Sequence, residues 1–225
     1  MELACGAIRS VIFDFDYTLG DSSPAVIDCI GFALARMGLP PASDEAICAT
    51  IGLSLPNTLA RLAGPEQASR SQEFVRLFAE RADEVMVPRT TLLPGVPAAI
   101  VALRRQGLTL GIVSTKYRFR IEAVLQREGL RDGFEVILGG EDVQRHKPDP
   151  EGLLCAVARL GCVPAETLYV GDSVVDAEAG QRAGTPFAAV LSGVTSPAEF
   201  NAYPTCAVLP GVAVLPDLIA AGGEQ

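Results

Sequence analysis

Short apolar runs alternate along the chain with segments of helical period. Residues 11–15, 108–113, 134–138, 167–170, 187–191 and 207–209 are near-continuous stretches of strand-favouring side chains. Strands that are apolar on both sides signal a parallel sheet covered on both faces. The intervening spacing predicts helices with clear punctuation. Asp149 is placed as an N-cap with Pro150 at the first helical position, Leu153, Leu154 and Val157 supply a buried stripe, and Gly161 ends the helix. The segment 174–183 is likewise closed by Gly184.

One stretch breaks the alternation. Between residues 21 and 88 no strand is evident, only helical periods: Val26, Ile30, Leu34 and Met37 on one, Phe74, Leu77, Phe78, Arg81 and Val85 on another, with shorter ones near 44–50 and 54–62. The entry, Gly20-Asp21-Ser22-Ser23-Pro24, is expected to cap a helix with Ser22 or Ser23 followed by Pro24, and the exit passes Pro88, Pro94 and Gly95. The fold expected is therefore α/β, a Rossmann-like parallel sheet in residues 1–19 and 91–225, carrying an all-helical insertion over 20–90. The tail from Gly222 is expected to fray.

Composition narrows the partners. The chain has 225 residues, 49% of them apolar, which is ample for a core, and a formal charge of −9 without any basic stripe. That charge argues against nucleic acid or an anionic membrane as partner. Six cysteines, Cys5, Cys29, Cys48, Cys155, Cys162 and Cys206, form no C-x-x-C pair and lie mostly in apolar runs; they read as reduced thiols, which suits the cytoplasm. No apolar run reaches the roughly 18 residues of a membrane span, and the start has no signal-peptide pattern.

In a parallel α/β sheet, ligands bind beyond the carboxyl ends of the strands, where the winding direction reverses. The first strand delivers Asp14, Asp16 and Thr18; the second Ser114 and Thr115; the loop after the third leads through Glu141 and Asp142 to Lys147; the fourth delivers Asp172, Ser173 and then Asp176. Two aspartates one residue apart repel each other and resist desolvation unless a cation compensates them. Asp14, Asp16 and Asp172 are hard oxygen donors that suit Mg²⁺ better than zinc or copper. If Asp14 and Asp172 share that ion, the first and fourth strands are neighbours; if Ser114 reaches the same phosphate, the second lies on the other side of the first. Ser114 and Thr115, ahead of a helical segment from Tyr117, offer hydroxyls and helix amides to an anion, and Lys147 adds a full charge. Asp14 then reads as a nucleophile and Asp16 as the acid and base beside it.

These residues resemble the motifs of the haloacid dehalogenase-like hydrolase superfamily: "DFDYT" its DxDxT signature, "IVST" its Ser/Thr motif, "HKPDP" its lysine motif and "GDSVVDAEAGQRAG" its acidic GDxxxD motif. The resemblance spans nearly the whole chain, and the insertion is similar to that superfamily's helical C1 cap, in its phosphoglycolate phosphatase-like branch. It implies Asp14 as nucleophile, Asp16 as acid/base whose backbone carbonyl also meets Mg²⁺, Thr18, Ser114, Thr115 and Lys147 around the phosphate, Asp172 as metal ligand, and Asp176 with Ser173 supporting them. Glycine is common in the family where Tyr17 stands, so a stiffer turn is expected here. Cap residues Ser54, Asn57, Thr58 and Arg61 are candidates for substrate contact.

The expected activity is that of a Mg²⁺-dependent phosphatase of a small phosphorylated metabolite, acting through an aspartyl-phosphate, as monomer or homodimer. Inorganic pyrophosphatase and sugar-phosphate mutase share the parts. A dehalogenase needs neither the metal nor Asp16 with Asp172, and a phosphonatase needs a cap lysine, which residues 20–90 lack. The non-enzyme alternative is a phospho-accepting receiver, for which no helical insertion is expected. Glu141 and Asp142 read as turn and helix-start residues, and His146 as a loop residue. The chain has two lysines, Lys116 and Lys147, among 18 basic residues; retention of lysine at 147 adds weight to its role, because Arg and Lys present charge differently.

Overall fold

The structure, a computed structural model, describes residues 8–222. Cys5 and the last three residues lie outside it; Gly222 closes the last helix. The chain forms two compact units, one comprising the described residues up to Gly20 together with those from Leu92 onward, the other Asp21–Thr91.

In chain order the elements are β1 (Ser10–Phe13), β2 (Gly20–Asp21), α1 (Ser23–Arg36), α2 (Asp44–Cys48), α3 (Leu55–Ala63), α4 (Ser71–Val85), β3 (Thr91–Leu92), α5 (Val96–Arg105), β4 (Thr109–Val113), α6 (Arg118–Arg127), β5 (Val136–Leu138), α7 (Glu151–Arg159), β6 (Thr167–Gly171), α8 (Val174–Ala183), β7 (Phe187–Val190), β8 (Ala207–Leu209) and α9 (Leu215–Gly222). Six strands form one parallel sheet in the order β5-β4-β1-β6-β7-β8, and the two short strands β2 and β3 pair with each other. The winding reverses at β1. Its neighbours are β4 and β6, the adjacency that a cation shared by Asp14 and Asp172 requires.

The apolar runs became strands because both of their faces are covered. All four residues of β1 and all five of β6 are buried. Ile12, Tyr169, Phe187 and Ala189 meet Leu153, Ala156 and Val157 of α7 and Ala177 and Ala183 of α8 in one apolar cluster. Fully burying a Val, Leu, Ile or Phe side chain contributes about 1.5–3 kcal/mol, so this central layer anchors the strand ends from which the polar residues project.

Helix boundaries followed the punctuation with small corrections. α8 spans the predicted residues and ends at Gly184, whose φ of 72° lies in the left-handed region. In α7, Pro150 takes the cap position, and Asp149 serves from one residue further back, accepting the Glu151 amide at 3.0 Å. At α1, Ser22 makes no side-chain cap; Asp21 Oδ1 accepts from the Ser23 amide and hydroxyl at 2.8 and 2.6 Å. A carboxylate next to a helix start outcompetes a hydroxyl because it also complements the helix dipole.

The regular elements of the unit Asp21–Thr91 are helices apart from its end residues. Its core joins Ile30, Leu34 and Met37 to Phe74, Leu77 and Phe78. Arg81, on the predicted stripe of α4, does not enter that core: it grips Asp28 of α1 through Nε and Nη2 at 2.8 and 3.0 Å, while Arg89 reaches the same carboxylate at 2.5 Å. Hydrogen bonding to Arg81 holds the Asp28 carboxyl below its usual range. Ser54 stands at the cap position of α3 and Arg61 is exposed in its last turn, whereas Thr58 is buried within the unit. Cys29, Cys48, Cys155, Cys162 and Cys206 are free thiols. Among the described residues no helix is long and apolar enough to cross a membrane.

Candidate active site

The site is built where β1 and β6 run out. The Asp14 amide donates to Val170 O at 2.9 Å, so the parallel ladder continues one step past β1 and holds Asp14 beside the end of β6. Beyond it the chain turns sharply, with the Leu19 and Gly20 amides both donating to Phe15 O at 2.9 Å. Tyr17 carries the turn at a φ of 59°, the single positive value outside glycine among the described residues. The left-handed region costs an L-residue roughly 1–2 kcal/mol, which gives a physical reason for glycine to be favoured there. Ser192, after β7, donates its hydroxyl to Tyr17 O at 2.5 Å and pins the strained peptide.

Lys147 and Asp176 form the buried hub. Lys147 Nζ lies 2.6 Å from Asp176 Oδ1 and 2.9 Å from Asp14 Oδ1, its side chain only 6% exposed. The other contacts of Asp176 come from the Tyr169 hydroxyl at 2.7 Å on Oδ1, and from the Ser173 hydroxyl and amide at 2.6 and 3.2 Å on Oδ2. The Asp176 amide returns a bond to Ser173 Oγ, making a capping box at the start of α8. Asp176 is thus both the helix-start charge and the lysine's partner. Gly171 is required beneath it, because a Cβ there would stand 2.6 Å from Asp176 Cβ.

Burial alone would neutralise these groups, and the lysine decides which stay charged. For Asp176, burial works upward but Lys147 and its hydrogen bonds outweigh it and hold the carboxyl below the usual range. Burial tends to lower the Lys147 pKa, yet Asp14 and Asp176 raise it well above normal. Asp14 is pushed up to about 6, by burial first and then by Asp176 and Asp16 against the opposing pull of Lys147. Burial, with Asp176 and Asp14 adding, holds Asp172 well above the carboxylate range.

The same numbers test whether a divalent cation fits. Were all four carboxylates (Asp14, Asp16, Asp172, Asp176) ionised against two ammonium groups (Lys116, Lys147), two negative charges would be uncompensated, and Asp14 and Asp172 are the two whose pKa values are raised. One carboxylate oxygen each from Asp14, Asp172 and Asp176 lie within 4.8 Å of one another, and Asp14 Oδ1, although beside Lys147, has no hydrogen-bond donor. A hard dication matches that charge and that oxygen set. Since both Asp176 oxygens are already engaged, Asp14 and Asp172 are the pair with capacity to spare. Gly193 leaves room for Asp172: a Cβ there would collide with Asp172 Oδ2.

Other expected site residues have partners of their own. Thr18 is fully buried and gives its hydroxyl to Asp172 Oδ1 at 3.2 Å, a support for that carboxylate. Ser114 continues from β4, its amide donating to Leu138 O at 3.0 Å, and is buried; Thr115 is half-buried beside it. The expected offer of α6 amides to an anion is reduced, because Glu141 takes the Arg118 amide on both of its oxygens at 2.9 and 3.0 Å. Glu141 is therefore a helix-start residue, for a helix other than its own. Asp16 turns away from Asp14's hub: its Oδ2 lies 3.0 Å from Lys116 Nζ, with side chains 9% and 5% exposed. His146, half-buried, stays in the loop ahead of Lys147. Lys116, Tyr169 and Ser192 were not anticipated; for Lys116 a signal existed, since it is the chain's other lysine.

The order of strands, the reversal at β1 and the acidic cluster at its tip define a Rossmann-like hydrolase core. Residues 11–190 match the model of the haloacid dehalogenase-like hydrolases, and the chain belongs to that family. It is similar, at 34% identity over 207 residues covering 83% of this chain and 82% of the relative, to the phosphoglycolate phosphatase of Salmonella typhimurium. It is also similar, at 32% identity over 208 residues and 87% of each chain, to the N-acetylmuramic acid 6-phosphate phosphatase of Pseudomonas aeruginosa. A chain from Bacteroides fragilis, described as haloacid dehalogenase-like hydrolase, superposes with a TM-score of 0.90 at 42% identity over 92% of this chain and 99% of that one.

Proposed function

We propose that this protein is a Mg²⁺-dependent phosphatase of the cytoplasm, cleaving the phosphomonoester of a small organic acid through an aspartyl-phosphate on Asp14. The observation that carries the reading is the buried cluster of Asp14, Asp172 and Asp176 around Lys147, which when ionised has two negative charges in excess of its one ammonium. The substrate class is supported by the two relatives above, whose names both give a phosphorylated acid.

Asp14 and Asp172 would hold the ion, with Thr18 fixing Asp172, and the bound Mg²⁺ would neutralise phosphoryl charge and let a carboxylate approach it. The Asp14 carboxylate attacks phosphorus in line, and the bond from phosphorus to the leaving oxygen breaks. Asp16 gives its proton to that oxygen. Water then attacks phosphorus, Asp16 takes the proton, the bond to Asp14 breaks and phosphate leaves. Lys147 and Ser114, with Thr115 beside them, hold the phosphoryl oxygens, while Asp176, itself held by Ser173, holds Lys147. Selection of the leaving group is assigned to the helical unit, with Ser54 and Arg61 as its candidates.

A screen of phosphorylated metabolites for released phosphate, phosphoglycolate and pyrophosphate included, tests the reading. Multiple turnovers on an organic phosphomonoester with Mg²⁺ and none with a chelator are expected. Release confined to pyrophosphate, or unaffected by chelation, would contradict it.

A further inference from the structure

Both lysines of the chain sit on the two aspartates of the first motif, Lys147 on Asp14 and Lys116 on Asp16. The remaining 16 of the 18 basic residues are arginine. Each ammonium also lies 6.0 Å from the centroid of a buried aromatic ring, Tyr169 for Lys147 and Phe15 for Lys116. A compact ammonium on a flexible stem and a planar guanidinium fork present charge differently and are not interchangeable at such contacts.

The backbone around Lys116 is locked. Its amide donates to Ser114 Oγ at 3.4 Å and its carbonyl accepts the Gly140 amide at 3.1 Å. The facing segment is glycine at both positions because nothing larger fits: a Cβ at Gly139 would stand 2.8 Å from Lys116 O, and one at Gly140 2.5 Å from Thr115 O. The ammonium is therefore aimed from a fixed base. Asp16, in turn, stands on a strained turn, with Tyr17 at a φ of 59° and the Leu19 and Gly20 amides tied to Phe15 O.

We propose that Lys116 is a positioning residue for proton transfer: by taking Asp16 Oδ2 it sets the plane of the carboxyl and so aims it at the leaving-group oxygen. The proposal rests on the reading of Asp16 as acid and base. An ion pair that served stability alone would matter equally for every substrate. A pair that aims the acid matters only when the leaving group needs a proton.

The test compares kcat/KM for an alkyl phosphomonoester that the wild type turns over, phosphoglycolate first, with kcat/KM for dinitrophenyl phosphate, whose leaving group departs without protonation. Asp16→Asn is expected to lose about 10²–10⁴-fold on the alkyl ester and far less on the aryl ester. Lys116→Met is expected to lose at least about 10-fold on the alkyl ester and under about 3-fold on the aryl ester, because misplacing a catalytic group removes part of its contribution. Lys116→Arg, which keeps the charge, is expected to show a smaller loss with the same substrate dependence, and carries the comparison if the methionine variant does not fold. Equal losses on both esters for the Lys116 variants, with Asp16→Asn remaining selective, overturn the role of Lys116 and leave that of Asp16 standing. Equal losses for Asp16→Asn overturn the acid/base reading itself.

Discussion

Replacing Asp176 with asparagine keeps the shape of the hub and removes its charge. In the native protein this carboxylate accepts Lys147 at 2.6 Å, Tyr169 at 2.7 Å and Ser173 at 2.6 Å, with none of its side chain exposed. Removing one partner of a buried ion pair costs about 3–5 kcal/mol, and the lower end applies because Lys147 retains Asp14. For a chain of this length about 3 kcal/mol corresponds to a fall in Tm of roughly 6–12 °C. Tyr169→Phe, which removes a single hydrogen bond to the charge, is expected to cost about 1.5 kcal/mol, or about 3–6 °C. The assay is thermal unfolding followed by circular dichroism in metal-free buffer near neutral pH. The native Asp176 pKa is depressed, so its stabilisation is present above the unfolded value of about 3.9 and lost as pH falls through the folded one. The Tm gap between wild type and Asp176→Asn should therefore close in acid. A variant that melts with the wild type near neutral pH would refute the hub as a stabilising centre.

Two further outcomes concern the cation. Asp14, raised to about 6, binds a proton when folded that it lacks when unfolded, so its stabilisation is present below the unfolded pKa and lost as pH rises through 6. Mg²⁺ needs the ionised carboxylates, so its thermal stabilisation of the protein should grow from about pH 5 to about pH 7.5; equal shifts at both would contradict the site. Gly193→Ala brings a Cβ against Asp172 Oδ2 and should raise the Mg²⁺ concentration for half-maximal stabilisation about 10–100-fold, the range seen when groups behind metal ligands are altered. An unchanged half-point would show that Asp172 does not bind the ion.

The sheet was legible because its signal is redundant: every residue of β1 and β6 is apolar or small and buried, so the runs survive shifts of a residue or two at their ends. α8 was legible to the residue because Ser173 and Gly184 each have a structural reason to be where they are. At the entry to α1 three adjacent residues, Asp21, Ser22 and Ser23, could each cap, and geometry alone chose the carboxylate. In the site, Asp14, Lys147 and Asp172 were readable from position at strand ends. The bond from Thr18 to Asp172 was not, since a hydroxyl two residues beyond the acidic pair serves a carboxylate or a phosphate with the same chemistry. Tyr169 reads as core from its strand, and its hydroxyl bond to Asp176 depends on which face it takes. Lys116 looks like any solvated lysine until the scarcity of lysine is applied to both positions and not to 147 alone.

Everything proposed for the chemistry depends on phosphorus becoming bonded to one particular carboxylate. Protein quenched in acid during turnover and reduced with borohydride should yield homoserine in place of Asp14 in the peptide that follows Phe13, and Asp14→Asn should give neither that product nor phosphate release while keeping its fold. Reduction at a different aspartate, or sustained release from Asp14→Asn, would contradict the account.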